Sequence, residues 1–106
     1  MGQFTIAAYR PRSGKAQELF QLVREHHPVL RREGLVTERR PYVMQAADGT
    51  LLEVFEWTSS GSSDDAHHSA AVQELWARFG AACEYVSLSA LAESQGPFAS
   101  FVPVEL

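Results

Sequence analysis

The chain has 106 residues, with 13 Asp or Glu against nine Lys or Arg and a formal net charge of −4, and this length predicts a single domain. The charges are interspersed, whereas nucleic-acid phosphates require a clustered basic face, so nucleic acid is excluded as the main ligand. A single cysteine leaves no internal disulfide framework. No apolar run approaches the ~18 to 20 residues of a membrane span and no segment resembles a signal peptide, so we expect a cytoplasmic protein with no membrane partner.

The first predicted strand, residues 3–10, carries apolar side chains on both faces, which is typical of a strand covered on both sides. A helix is predicted over residues 15–33, with Ser13 as its N-cap and Gly34 as the residue that ends it. Pro28 lies inside this helix, where we expect a kink or a new helix start.

A second strand is predicted over residues 36–46 and a third over residues 50–58. Asp48 and Gly49 form a tight-turn signal between them, so the two strands are expected to pair as a hairpin. Pro41 cannot donate a hydrogen bond to a neighbouring strand, which predicts an edge position or a bulge for the second strand.

Ser62 or Ser63 is expected to cap a second helix that runs to about Ala82. The alternating residues 85–92 predict a fourth strand. The apolar tail, residues 96–106, is expected to pack on the domain or on a partner subunit, with a short extra strand as one outcome.

The order strand, helix, hairpin, helix, strand predicts an α+β fold: a ferredoxin-like βαββαβ domain over residues 1–95 with a four-stranded antiparallel sheet. Two helices cover only one face of such a sheet, yet Phe4 and Ile6 point to one face while Ala7 and Tyr9 point to the other. Because an uncovered apolar face favours association, we expect a two-fold homodimer with its sheets packed face to face.

Three segments carry a likeness to a known family. They are Ile6-Ala7-Ala8-Tyr9-Arg10-Pro11 with Gly14-Lys15, Leu52-Glu53-Val54-Phe55-Glu56-Trp57, and Ala66-His67 followed by Val72, Leu75-Trp76 and Phe79. Over residues 3–92 the chain resembles the antibiotic biosynthesis monooxygenase-like domains of the dimeric α/β-barrel superfamily. The resemblance implies a homodimeric barrel with a pocket in each subunit. In some relatives, that pocket oxygenates electron-rich aromatics or quinols with no metal or flavin.

The haem-degrading branch of that superfamily is not implied. It uses an asparagine on the first strand and a tryptophan and a histidine on the second helix. Those positions fall near Ala7, Ala66 and Trp76, so all three residue types are missing and haem degradation is not expected. No cofactor is expected, and no metal site either, because neighbours in the His-His pairs of a helix point about 100° apart, unlike an i,i+4 pair that shares an ion.

Three histidines are candidate catalytic residues. His26 lies in the apolar stripe of the first helix, and by helical angle His68 faces the sheet from the second. His67 instead matches the Ala-His pair of the resemblance. Each could accept a proton from a phenol or quinol, and the alternative is a hydrogen-bonded histidine of the core.

Four aromatic residues are candidates for a slot that holds a flat ligand, namely Tyr9, Trp57, Trp76 and Phe79. Aromatic residues at such spacing also serve packing alone. Glu56 is a further candidate ligand contact. Glu53 and Glu56 point to opposite faces of their strand, and Arg39 or Arg40 is the candidate partner for an ion pair. The alternative is that one of the two carboxylates orients a pocket histidine.

Taken with these candidate residues, the resemblance implies a cofactor-independent monooxygenase that acts on a small aromatic or quinol-like metabolite. The alternative is a non-catalytic homodimer that binds a small ligand or serves a stress response. An open cavity of roughly 300 Å³ or more, lined by His and Trp, would favour the first function. A closed interior with histidines bonded to the backbone would favour the second.

Overall fold

Strands and short helices alternate along the chain in the computed structural model, which describes residues 2–106. The elements are β1 Gln3–Pro11, α1 Ala16–Arg32, β2 Tyr42–Gln45, β3 Leu51–Trp57, α2 Ser62–Ala66, α3 Ala70–Ala82, β4 Cys83–Val86 and β5 Val102–Pro103. The strands form one open antiparallel sheet in the order β4-β1-β3-β2-β5. The predicted α+β class is confirmed and the element order is consistent with a ferredoxin-like domain. The sheet has five strands because the C-terminal tail adds one. Within residues 2–106, no helix has the length and apolar character needed to cross a bilayer.

Helix α1 packs on the sheet through apolar residues spaced three and four apart, as predicted. The buried positions are Leu19, Leu22, Val23, His26 and Leu30. Its end also follows the prediction: Gly34 has a φ of +75°, and its N–H donates to the carbonyl of Arg31. The N–H of Leu35 donates to the carbonyl of Leu30, which completes a Schellman motif.

The start of α1 differs from the prediction, and one of the two outcomes expected at Pro28 is excluded. The N-cap is Lys15 with no side-chain hydrogen bond, so the assignment to Ser13 is wrong. The helix continues through Pro28, and no new helix starts there. Pro28 and Arg24 are both exposed, so the carbonyl that loses its helical partner lies on the solvent side, where water can bond to it.

The predicted hairpin is confirmed, but its first strand is shorter than expected. Gly49 has a φ of +93°, and the Asp48 carboxylate accepts the N–H of Thr50 at 2.9 Å. Val36 forms an isolated bridge with Trp57, and continuous pairing begins at Tyr42, directly after Pro41, which has no N–H to donate. Since β5 pairs with the outer side of β2, the predicted edge position is wrong. The alternative, a bulge, agrees with the structure, because residues 37–41 lie opposite residues 55–56 between these two pairs.

The predicted second helix is divided in two. Helix α2 ends at Ala66, and α3 begins after Ser69, whose side chain accepts the N–H of Val72. This local hydrogen bond competes with helix continuation. The turn of residues 67–69 changes the helical phase, so His68 is exposed and does not face the sheet. Its predicted orientation is wrong.

The fourth strand ends earlier than predicted, at Val86. The Ser87 side chain accepts the N–H of Ser89 and starts the first of two 3₁₀ turns, Leu88–Ala90 and Ala92–Gln95. The tail then returns along β2, where Val102 lies opposite Gln45.

The sheet face opposite the helices is only partly covered. A cluster of Ala8, Ala46, Leu52 and Leu91, with Phe101 against it, is covered by the chain's own C-terminal segment. At the other end of the same face, Phe4, Ile6 and Tyr42 remain 61%, 47% and 75% exposed. The expectation that a second copy must cover this whole face is therefore corrected: the chain itself covers about half of it.

Candidate active site

A cleft of about 410 Å³ opens between the sheet and helices α1 and α3. Two of the three β1 residues that line it, Thr5 and Ala7, are small, which leaves space among larger rings. The remaining lining residues are Tyr9, His26, Phe55, Trp57, His67, Trp76, Phe79 and Tyr85. The cleft therefore offers a mostly aromatic surface with a few polar atoms, as small-molecule sites commonly do.

A fully buried carboxylate lies beneath this cleft. Glu53 is 0% exposed, and strand alternation turns it toward the helices beside Ala7, its partner on β1. The Tyr9 hydroxyl donates to Glu53 Oε1 at 2.7 Å, and His26 Nδ1 lies 2.8 Å from the same oxygen. Oε2 accepts no hydrogen bond from the described residues. The buried carboxylate therefore depends on two donors, Tyr9 and His26.

The second nitrogen of His26 faces the cleft. Trp76 Nε1 donates to His26 Nε2 at 3.3 Å, so Nε2 is the acceptor and Nδ1 carries the proton that is donated to Glu53. The imidazole is 4% exposed and lies edge-on to Phe55 and Phe79, at ring distances of 5.5 and 5.3 Å. An imidazole held by a carboxylate at one nitrogen, with a basic lone pair on the other, is the arrangement of a general base once a ligand displaces the Trp76 N–H.

The electrostatics keep the neighbouring groups neutral. Burial and the negative charge of Glu53 raise the pKa of Tyr9 well above its usual value of 10.0, so Tyr9 remains a hydrogen-bond donor. Burial raises the pKa of Tyr85 to about 12. Burial lowers the pKa of His27, which follows His26 on α1, so His27 is uncharged at neutral pH.

Six of the eight predicted site residues line the cleft: Tyr9, His26, Trp57, His67, Trp76 and Phe79. His67 is exposed at the rim, where its ring meets that of Trp76 edge-on at 5.0 Å. Trp57 Nε1 donates to Thr5 Oγ1 at 2.9 Å. The structure therefore brings His26 and His67 to opposite parts of one cleft, with Trp76 between them.

The other two predicted residues lie elsewhere. His68 is exposed and outside the cleft. Glu56 is on the opposite sheet face, where it accepts hydrogen bonds from Arg39 Nε and Thr37 Oγ1, both at 2.8 Å. It therefore forms the predicted ion pair and does not contact the cleft. Glu53 takes the other predicted role, because it holds a pocket histidine.

Sequence reasoning missed several lining residues, namely Thr5, Ala7, Phe55 and Tyr85. The signal for Phe55 was present, because it shares a strand face with Trp57 and Glu53. No feature of the sequence indicates that small residues such as Thr5 and Ala7 line a site. Within residues 2–106, no group of three or more His, Cys, Asp or Glu side chains is placed to hold a metal ion.

The fold and the cleft define the class of protein: a small α+β domain with an aromatic cleft above a buried carboxylate–imidazole pair. No protein-family model and no curated protein sequence matches the chain. Among solved structures, it is similar to the crystal structure of a conserved protein from Methanosarcina mazei Go1, with a TM-score of 0.60 and 19% sequence identity. The superposition covers 81% of this chain and 87% of that chain. The similarity shows the fold and leaves the function to be argued from the cleft.

Proposed function

We propose that this protein binds a small, flat, hydroxylated aromatic compound in the cleft and removes its hydroxyl proton with His26. The observation that supports this is the placement of His26, which lines the aromatic cleft with Nδ1 held 2.8 Å from Glu53 and Nε2 bonded to Trp76, another lining residue. A fixed tautomer with its acceptor nitrogen toward the ligand needs no reorganisation before proton transfer. The rings of Trp57, Trp76 and Phe79 would hold the ligand.

Deprotonation prepares such a ligand for reaction with molecular oxygen. A phenolate is richer in electrons than a phenol, and O₂ accepts electrons from it. For an anthrone-like substrate, a ring CH₂ becomes C=O: one oxygen atom enters the carbon, and the other leaves as water with the two hydrogens. O₂ serves as oxidant and oxygen source. This reaction is a cofactor-independent monooxygenation, in keeping with the resemblance to the antibiotic biosynthesis monooxygenase-like domains.

The exposed part of the sheet supports a homodimer as the working form. Phe4, Ile6 and Tyr42 form one apolar patch, because Ile6 and Tyr42 both lie opposite Val54 on β3. Beside it, a second cleft of about 620 Å³ separates the patch from the C-terminal residues. A two-fold related copy packed on this patch would cover it and join the two sheets as a dimeric α/β barrel.

Oxygen consumption tests the proposed reaction. The purified protein is mixed with anthrone-like phenols and quinols, and O₂ uptake is compared for wild type, His26→Gln and His68→Ala. We expect His26→Gln to lower the rate at least about a hundredfold, as for loss of a general base. His68→Ala, an exposed histidine outside the cleft, should retain the wild-type rate. Equal rates for wild type and His26→Gln would contradict the role of His26.

A non-catalytic binding function is the second candidate. It is favoured by the hydrogen bond from Trp76 to His26, because this bond satisfies the acceptor nitrogen within the protein. A protein of this kind would bind hydroxylated aromatics without consuming oxygen. Quenching of tryptophan fluorescence by the ligand, with no O₂ uptake under the same conditions, would favour binding over catalysis.

A further inference from the structure

The two indole groups of the cleft differ in how firmly their N–H groups are held. Trp57 donates to a hydroxyl oxygen, Thr5 Oγ1, at 2.9 Å, which is an ordinary hydrogen-bond length. Trp76 donates to His26 Nε2 at 3.3 Å, beyond the usual range of about 2.7–3.2 Å. The Trp76 bond is therefore the easier of the two to open, and both residues that form it line the cleft.

We propose that Trp76 and His26 form a two-point cradle for one hydroxyl oxygen of the ligand. The ligand O–H donates to His26 Nε2, and the same oxygen accepts the Trp76 N–H. An oxygen that bonds to both nitrogens takes the place of the present hydrogen bond, so the two rings must turn or separate to point at it. This inference rests on the proposed function and deepens it, because it assigns the substrate class as phenols or enols with a hydroxyl at the ring edge.

The cradle suits the charge that develops during proton transfer. The ligand O–H bond breaks, its electron pair stays on oxygen, and the proton forms a bond to His26 Nε2. The phenolate oxygen then accepts from two donors, the imidazolium and the Trp76 indole. Glu53 remains at Nδ1 and stabilises the imidazolium. Trp76 is thus a catalytic residue that stabilises an oxyanion, because its N–H becomes more strongly bonded as the oxygen becomes negative.

The neighbouring titratable groups leave this assignment intact. Glu53 and the protonated Tyr9 face the imidazole from the sheet. His27, the next residue on α1, is neutral. On the cleft side, His67 meets the Trp76 ring, and Tyr85 keeps its proton, with a pKa of about 12. Glu53 is therefore the anion in direct contact with the base.

Ligand chemistry gives the first test. Naphthalene leaves the bond between Trp76 and His26 closed, and methoxynaphthalene can accept from Trp76 but leaves His26 Nε2 without a donor, which is costly in a buried site. We expect wild type to bind naphthol at least about tenfold more tightly than methoxynaphthalene, measured by fluorescence quenching. Equal affinities for these two compounds would overturn the cradle. This comparison needs no variant.

Ionisation of bound naphthol tests the role of Trp76. The absorbance of naphtholate is followed against pH in wild type, Trp76→Phe and Trp57→Phe. Loss of the naphthol proton leaves an oxyanion that accepts the Trp76 N–H, and this hydrogen bond should lower the pH at which bound naphthol ionises in wild type. Trp76→Phe should raise that ionisation pH by about one unit relative to wild type. Trp57→Phe removes the same indole group from the same cleft and should shift the ionisation pH by only a few tenths.

The outcomes separate the two proposals. If naphthol binds but the two tryptophan variants have equal ionisation pH, the cradle is overturned, while aromatic binding in the cleft stands. If naphthol, methoxynaphthalene and naphthalene all fail to bind wild type, the proposed function and the cradle are both overturned. Naphthalene binding by Trp76→Phe verifies that the variant has folded with its cleft intact.

Discussion

Strand β3 carries two glutamates, three residues apart, that the fold places in opposite environments. Glu53 faces the helices, is 0% exposed and accepts from Tyr9 and His26. Glu56 faces the other side of the sheet and accepts from Arg39, whose side chain is 68% exposed. One carboxylate is thus held by buried groups on other elements, while the other forms an ion pair at the surface.

The difference between the two glutamates shows that the two faces of the sheet differ in their chemistry. On the helix face, a carboxylate without a cation beside it is balanced by donors that also fix the tautomer of His26. On the opposite face, apolar side chains and an ion pair remain available for contact with another molecule. The proposed chemistry uses the first face, and the proposed assembly uses the second.

Removal of the two carboxylates should have very different effects on stability. Glu53→Ala leaves the Tyr9 hydroxyl and His26 Nδ1–H without an acceptor in a buried site, and we expect a loss of about 3–5 kcal/mol in the free energy of unfolding. Glu56→Ala removes an ion pair with one exposed partner and the acceptor of Thr37 Oγ1, and should cost about 1–2 kcal/mol. Urea denaturation measures both. Equal losses would contradict the contrast between the two faces.

The oligomeric state of the protein tests the proposed role of the opposite sheet face. If Phe4, Ile6 and Tyr42 pack against a second copy, Ile6→Glu places an unpaired charge in that interface. We expect the dimer dissociation constant to rise at least about a hundredfold, which corresponds to about 2.8 kcal/mol. Sedimentation velocity at micromolar concentration measures the change.

Ala77→Glu serves as the matched control for assembly, because Ala77 is exposed on α3 and lies away from the sheet. It should leave the dimer unchanged. A wild-type protein that sediments as a monomer would contradict the assembly role of the exposed sheet face.

Alkaline pH should destabilise the helix face through Tyr9. Its pKa in the fold lies well above 10.0, so the unfolded chain releases this proton near pH 10 while the fold retains it. The stabilisation from Tyr9 is therefore complete below about pH 10 and is lost as the pH rises through the folded pKa. Tyr85, with a pKa of about 12, acts in the same direction.

Unfolding measured from pH 8 to about pH 11 separates these contributions. Tyr9→Phe should lower stability at neutral pH by about 1–3 kcal/mol, because Glu53 loses a donor, and should flatten the decline above pH 10. Tyr85→Phe should flatten the decline with little effect at neutral pH. An unchanged slope in Tyr9→Phe would contradict the buried, protonated state of Tyr9.

Local signals explain which parts of the fold could be predicted from the sequence. The turn at Asp48 and Gly49 and the helix end at Gly34 depend on neighbouring residues alone, and both predictions are confirmed. The division of the second helix could not be predicted from the sequence, because the apolar spacing continues from Ala66 to Val72. The interruption comes from Ser69, which caps the start of α3. The wrong orientation of His68 follows from that interruption.

The site was less predictable, because its contacts connect distant parts of the chain. Strand alternation places Glu53 and Glu56 on opposite faces, but it does not say which face the helices cover. The partners of Glu53 lie 44 and 27 residues away in sequence, at Tyr9 and His26. Only the packing of α1 on the sheet brings these groups together, so the sequence could name His26 as a candidate but could not supply its carboxylate.

The central claim is that Glu53 holds His26 with its acceptor nitrogen toward the cleft, and nitrogen-15 NMR of the histidine side chains tests it most directly. His26→Gln assigns the His26 signals by their disappearance. At neutral pH we expect a protonated Nδ1 and an unprotonated Nε2 in wild type, and loss of this preference in Glu53→Gln. A wild-type His26 that is protonated at Nε2 and unprotonated at Nδ1 would contradict this claim.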